Sequence, residues 1–197
     1  MPWVRGRRRE GARKWIAKRA PQVERPAIVL DIDETSLSNW PRIYQDDFAY
    51  VPNGPCTFRK DPCGDLDWQQ SGRAQAIEPT LRLYRTARCV DETASCKPIE
   101  VFFITGRRQS ERNYEMTSVW TLRNLAMAGY GAVSPDHLYL RDPNGGGTVA
   151  DYKTTARADI ETRGFTIIAN IGDQYSDLAK GHSDMTFKVP NPLYFIP

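Results

Sequence analysis

Asp31 and Asp33 flank a single residue just past the aliphatic run Ala27-Ile-Val-Leu30. In extended or tightly turned backbone, side chains two apart face the same way, so these two carboxylates are placed to converge on one ion. Thr105-Gly106-Arg107 follows Phe102-Phe-Ile104, and Gly172-Asp173 with Asp177 follows Ala169-Asn-Ile171. Lys153 lies between these two signals, in the segment that opens a predicted helix. Each signal sits at the C-terminal end of a strand-like run, where open α/β sheets place their ligands. Singly, each has an ordinary structural reading, as a helix N-cap or a Thr-Gly turn. Together and in order, on successive strand ends, they argue for a site.

The elements that must carry these residues alternate. Unbroken aliphatic and β-branched runs at 27–31, 99–104, 137–141 and 165–171 read as strands buried on both faces, with a short fifth at 185–189. Helical patterns fall between them at 78–88, 108–128, 150–162 and 176–180, with Pro79 near the start of the first and Gly129 closing the second. Such alternation predicts an α/β sandwich around a parallel sheet. Residues 36 to about 76 interrupt it, with Trp40, Tyr44, Phe48, Tyr50, Phe58 and Trp68 among prolines, glycines and one cysteine pair. That stretch is too long for a crossover loop and too aromatic for a linker, so it reads as a small cap beside the site. Asp142-Pro-Asn-Gly-Gly-Gly-Thr148 lacks the spacing and lysine of a phosphate-cradling loop and reads as a turn.

At 197 residues, with 40% hydrophobic and 26% charged composition, the chain suits one globular domain. No apolar run approaches the ~20 residues of a membrane helix, so a soluble chain without a membrane span is expected. The formal charge is +3, yet eight of the 27 basic residues fall in the first 19 positions, leaving 19 basic against 23 acidic residues outside them and Glu10. Residues 1–26 therefore read as a solvated basic arm carrying one short helix at 11–20, and a nucleic-acid polymer is not the expected partner. The arm resembles the basic start of a signal peptide, but Trp15-Ile-Ala is too short for its apolar core. Cys56/Cys63 and Cys89/Cys96 are local pairs with six intervening residues each, wider than zinc spacing. Two short-loop disulfides and an oxidising compartment fit them, and four cytosolic thiols are the alternative.

Asp31-Ile-Asp-Glu-Thr35 resembles the DxDxT nucleophile motif of the haloacid dehalogenase (HAD) superfamily. Thr105, Lys153 and Gly172-Asp-x-x-x-Asp177 resemble its second, third and fourth motifs. Val29 to Trp40, Phe102 to Arg107 and Lys188-Val-Pro-Asn-Pro-Leu-Tyr194 are similar to the plant and bacterial acid phosphatases of subfamily IIIB, over about residues 24–197. The Cys89–Cys96 stretch and the basic start depart from that pattern. The resemblance implies a Rossmann-like three-layer sandwich at 27–197 with a cap at about 36–76, and a Mg²⁺-dependent acid phosphatase acting on small phosphate monoesters. It assigns Asp31 as nucleophile and metal ligand, and Asp33 as general acid/base that also ligates through its carbonyl. Asp173 becomes the direct metal ligand, Asp177 ligates or holds a metal-bound water, and Thr105, Gly106 and Lys153 bind phosphate oxygens. Arg107, Trp40 and Tyr44 are weaker candidates for substrate contact. Arg107 also reads as an ion-pair partner, and the aromatics as the cap's own core.

Other phosphatase chemistries are excluded: no C-x5-R, R-H-G or G-K-[ST] occurs. A storage or binding protein on the same scaffold stays open, as does a phosphomutase. A periplasmic or secreted location is expected, with a cytoplasmic one as alternative. Nucleoside monophosphates are the substrates expected of an aromatic cap that can stack a base, with sugar phosphates as the alternative, and a homodimer is a possible assembly.

Overall fold

A computed structural model describes residues 2–52, 64–90, 96–113 and 115–196, with side chains from Gly11 onward. Helix α1 (Pro2–Arg19) leads into strand β1 (Pro26–Leu30). Then come β2 (Leu37–Ser38), α2 (Trp40–Gln45), α3 (Gly64–Ser71), β3 (Gln75–Ala76) and α4 (Glu78–Ala87). Strand β4 (Glu100–Arg108) precedes the short strands β5 (Glu111–Arg112) and β6 (Glu115–Met116), and helix α5 (Thr117–Leu125). The chain continues through β7 (Leu138–Arg141), α6 (Val149–Thr162), β8 (Thr166–Gly172), α7 (Tyr175–Leu178) and β9 (Thr186–Lys188).

Five strands form one sheet in the order β7-β4-β1-β8-β9, and every adjacent pair is parallel. The aliphatic runs are continuous because both faces of the sheet are covered. Ile28, Leu30, Val101 and Phe103 point into one core with Leu81, Leu83 and Tyr84 of α4 and Leu125 of α5. Their alternates Ala27, Val29, Phe102 and Ile104 point into the other, with Ala156 and Ile160 of α6. This is the expected three-layer α/β arrangement, and each fully buried aliphatic side chain contributes about 1.5–3 kcal/mol. From central β1 the chain builds β4 and β7 on one side, then crosses to β8 on the other. The reversal opens a crevice at the ends of β1 and β8.

Three sequence expectations change. The basic segment is no detached arm from residue 12 onward: Ala12 and Ile16 are buried in the core, and Arg19 pairs with Asp184 at 2.7 Å. Trp15 Nε1 donates to the Ile168 carbonyl at 2.7 Å, where the register of β1 against β8 skips a residue. One apolar face thus outweighs the segment's charge. Secondly, Thr105-Gly106-Arg107 lies inside β4 rather than past it, because β4 resumes pairing with β7 at Arg108↔Arg141 after an irregularity. Thirdly, the helix expected at 108–128 starts only at Thr117, since 109–116 bend into the β5–β6 hairpin. Ser110 and Thr117 close its base, with Thr117 N donating to the Ser110 carbonyl at 2.8 Å and Ser110 N to Thr117 Oγ1 at 3.0 Å. Gly129 ends the following helical turns with φ +100°, a conformation strained for any other residue.

A disulfide joins Cys89 to Cys96; Cys56 and Cys63 lie outside the described residues. No helix among the described residues is long and apolar enough to cross a membrane. Replacing Trp15 by Phe keeps the ring's packing and strands the Ile168 carbonyl, so unfolding free energy should fall by about 1 kcal/mol. Urea titration reads this, and an unchanged midpoint would show that the basic segment does not dock.

Candidate active site

The ends of β1, β4 and β8 bring together residues more than 130 positions apart. Asp31 follows β1, and its N–H donates to the Ile171 carbonyl of β8 at 2.9 Å, which fixes it beside Asp173. Lys153 reaches in from the first turns of α6, a helix started by a capping box between Thr148 and Asp151. Its Nζ donates to Asp31 Oδ1 at 2.5 Å and to Asp177 Oδ1 at 2.6 Å. Carboxylate oxygens of Asp31, Asp173 and Asp177, all buried, lie within 4.8 Å of one another. Gly172 is required there, because a Cβ would collide with the Asp177 side chain.

Two of the three buried carboxylates share the Lys153 ammonium and the third, Asp173, meets neutral donors, so the cluster is short of positive charge. Burial, then the charge of Asp177, pushes Asp31 well above the ordinary carboxylate range although Lys153 pulls it down. Burial and Asp177 raise Asp173 likewise. Lys153 is raised in turn, because the two carboxylates outweigh the burial that opposes its charge. An oxygen-only donor set of this size and charge deficit suits Mg²⁺.

Asp33 is held apart from that cluster. Burial alone would raise its pKa, but the charge and hydrogen bonds of Arg107, with Asn39 and Thr105, bring it down to about 2. Arg107 Nη2 donates to Asp33 Oδ1 at 2.7 Å and Nε to Oδ2 at 3.1 Å, with the guanidinium buried. Asn39 Nδ2 reaches Oδ1 at 2.8 Å, and Thr105 Oγ1 donates to Oδ2 at 3.1 Å. Thr105, expected to face phosphate, is fully buried and points its hydroxyl at Asp33. Gly106 lines the cavity instead.

The backbone after Asp31 is a tight loop. The N–H groups of Ser36 and Leu37 both donate to the Ile32 carbonyl at 2.8 Å, and Ser36 Oγ donates to the Asp31 carbonyl at 2.6 Å. Glu34 takes φ +57° within it. Its side chain accepts from Asn39 N at 2.6 Å, Asn39 Nδ2 at 3.1 Å and Tyr194 Oη at 2.9 Å. Burial, then the nearby Asp33 charge, nevertheless raises it to about 7. Thr35 Oγ1 donates to Asp173 Oδ1 at 3.0 Å, tying the loop to β8.

A cavity of about 440 Å³ opens above these groups, walled by Arg42, Ile43, Phe48 and Tyr50, by Asp65 and Gln69 of α3, and by Leu193 to Ile196. Trp40 and Tyr44 do not line it. They are exposed and pack on each other, ring centroids 5.7 Å apart, with Phe48 against Trp40. The helical turn of α2 carries them outward while its buried residues Arg42 and Ile43 face in. Sequence reasoning missed Glu34, Asn39 and the C-terminal segment as parts of the site. Asn191 Nδ2 donates to Asp173 Oδ2 at 2.8 Å and Lys188 Nζ to its carbonyl at 2.7 Å. A signal existed in Lys188-Val-Pro-Asn-Pro-Leu-Tyr194, a stretch already marked by its resemblance to the subfamily IIIB pattern.

A parallel sheet with an aspartate-bearing loop after its central strand and acidic residues after the next defines a HAD-type α/β protein. The chain belongs to the HAD superfamily, subfamily IIIB (acid phosphatase), whose pattern matches residues 12–197. It is similar to acid phosphatase 1 of Solanum lycopersicum, 34% identical over 87% of this chain and 60% of that protein. A stem 28 kDa glycoprotein of Glycine max is 32% identical over 86% and 59%, and vegetative storage protein 1 of Arabidopsis thaliana 32% over 86% and 55%. The chain thus spans between half and two thirds of these relatives' length. Its fold resembles that of the class C acid phosphatase from Bacillus anthracis, with TM-score 0.71 at 20% identity, covering 99% of this chain and 79% of that one.

Because Glu34 is raised from 4.5 to about 7 in the folded state, folding takes up protons between those values. The contribution of Glu34 to the stability of the metal-free protein is fully present below about pH 4.5 and should be lost, by a few kcal/mol, as pH rises through 7. Urea midpoints in EDTA measure the fall, and Glu34→Gln should remove part of it. A flat profile for the parent protein would contradict a protonated Glu34.

Proposed function

We propose that this chain is a Mg²⁺-dependent acid phosphatase that transfers the phosphoryl group of small monoesters to Asp31 and then to water. The observation that carries this reading is the Asp31 carboxylate, held by Lys153 among Asp173 and Asp177 at the floor of the cavity. Asp31, Asp173 and Asp177, with the Asp33 carbonyl, would hold Mg²⁺. When bound, the ion neutralises the charge that otherwise repels an anionic ester from an anionic nucleophile.

In this reading one Asp31 oxygen bonds to phosphorus as the ester P–O bond breaks, and the alcohol leaves with a proton from Asp33. Asp33 then takes a proton from the water that attacks phosphorus and releases Asp31. Lys153 orients Asp31 and offsets negative charge on the transferred oxygens. In the same reading the Gly106 amide and Arg107, which line the cavity, receive those oxygens. Arg107 also gives Asp33 its acidity: while the two are paired, Asp33 is ionised and has no proton to donate. A phosphate dianion that draws Arg107 away lets Asp33 take up a proton, and acidic pH favours the same state. The Cys89–Cys96 disulfide supports a periplasmic or secreted setting, as does the word glycoprotein in the name of one relative.

A storage role is the second reading, favoured by the similarity to vegetative storage protein 1 and opposed by the intact Asp31 and its ammonium partner. Hydrolysis of p-nitrophenyl phosphate separates the two. The parent protein should turn over only with Mg²⁺, and Asp31→Asn should lose at least about 10³-fold in kcat. A parent protein that binds Mg²⁺ and hydrolyses nothing would favour storage. For Asp33→Asn, the rate of the first half-reaction, read as pre-steady-state release of the alcohol, should drop about 10²–10⁴-fold with an alkyl phosphate such as 2-glycerophosphate and much less with p-nitrophenyl phosphate, because nitrophenolate leaves without a proton. Equal losses on both substrates would remove Asp33 from the acid role.

A further inference from the structure

Helix α6 carries a second buried cation one turn beyond Lys153, and the phosphatase chemistry assigns it nothing. Arg157 has no exposed surface. Its four hydrogen bonds all go to neutral oxygens: Nη1 to the Asp177 carbonyl at 2.7 Å, Nε to the Gly181 carbonyl at 2.9 Å, and Nη2 to the Ala179 carbonyl and to Thr154 Oγ1 at 3.3 Å. A buried guanidinium that pairs with no carboxylate is costly, and a hydrophobic residue of that length would fill the space without the desolvation. What distinguishes Arg157 is the set of acceptors: three carbonyls of the segment that leaves α7, the helix bearing Asp177.

That segment needs holding. Lys180, Gly181 and His182 are consecutive left-handed residues, with φ +64°, +79° and +60°. Two of them carry side chains, for which this conformation is unfavourable. Helix α6 spans the whole segment. Near its start Asp151 pairs with Lys180, then Lys153 takes Asp177 Oδ1, Arg157 takes the carbonyls, and Glu161 Oε2 meets His182 Nδ1 at 2.6 Å. Asn170 Nδ2 of β8 adds a second donor to the Asp177 carbonyl at 2.9 Å. Lys153 thus fixes the side chain of Asp177 while Arg157 fixes its backbone, both from one rigid helix.

We propose that Arg157 is a positioning residue for the metal site: it pre-orders the loop after α7 so that Asp177 meets Mg²⁺ without further folding. The proposal rests on the metal-dependent reading above, and its test separates the two. Isothermal calorimetry with MgCl₂ alone, on the intact chain, compares the parent protein with Arg157→Met and Arg157→Lys. Arg157→Met fills the volume without donors, and its Mg²⁺ affinity should fall by about tenfold or more, the usual effect of losing a group that orients a ligand. Arg157→Lys keeps the charge and part of the bonding and should lose less. In p-nitrophenyl phosphate assays the Mg²⁺ concentration for half activity should shift in parallel, while kcat at saturating Mg²⁺ stays within about threefold, because bound metal restores the position of Asp177.

A residue serving stability alone would lower the unfolding temperature and leave the Mg²⁺ affinity of the folded protein unchanged. That outcome for either folded variant overturns the proposal and leaves the phosphatase reading standing. If Arg157→Met does not fold, the decision passes to Arg157→Lys, whose unchanged affinity would be equally decisive. A parent protein that binds no Mg²⁺ overturns the metal-dependent reading and this proposal with it.

Discussion

The Lys153 ammonium, within 2.5–2.6 Å of both Asp31 and Asp177, is the interaction on which the site depends. Asp31 comes from the end of β1 and Asp177 from α7 beyond β8, and no sequence-local force joins them. Without a cation between them, carboxylates buried at this distance repel strongly in a medium that screens poorly. The position of α6 follows from that need. Its capping box starts the helix where Lys153 can enter, and Ala156 and Ile160 on the same helix pack against Ala27, Val29, Phe102 and Ile104. Burial of that face therefore aims the lysine.

The two carboxylates of the loop after β1 are treated in opposite ways. Asp31 shares its ammonium with other acids and is raised. Asp33 faces a dedicated guanidinium and is lowered to about 2. Two acids two residues apart thus have well-separated pKa values, and the pairing with Arg107 holds Asp33 ionised. The loop tolerates this density of charge because its backbone is bonded internally and Glu34, Asn39 and Tyr194 form a second ring of hydrogen bonds around it.

The cavity wall comes from three separate parts of the chain. α2 and α3 supply Arg42, Asp65 and Gln69, and the C-terminal segment supplies Tyr194 and its neighbours. Asn39 joins the cap to the centre, since its amide reaches Asp33 and its Oδ1 accepts from Trp68 Nε1 at 2.8 Å. A change in how α3 sits is thus felt at Asp33.

The reaction centre was legible in the linear sequence because its residues lie on loops directly after strands, and those strands announce themselves. Runs such as Ala27 to Leu30 have apolar side chains on both faces, which only a covered parallel sheet explains. Asp31, Asp33, Lys153, Asp173 and Asp177 could therefore be read together, as could the sheet and four of its helical partners. Tertiary structure alone decided the rest. Trp40 and Tyr44 lie outside the cavity because the turn of α2 buries Arg42 and Ile43 in their place, a phase that six residues of pattern do not define. The basic start docks because Trp15 finds a free carbonyl at a register skip 153 residues away. Arg107 became the partner of Asp33, and Arg157 the support of Asp177, through contacts across 74 and 20 positions. Local pattern records which backbone a residue prefers. Only the packed fold determines which charge it meets.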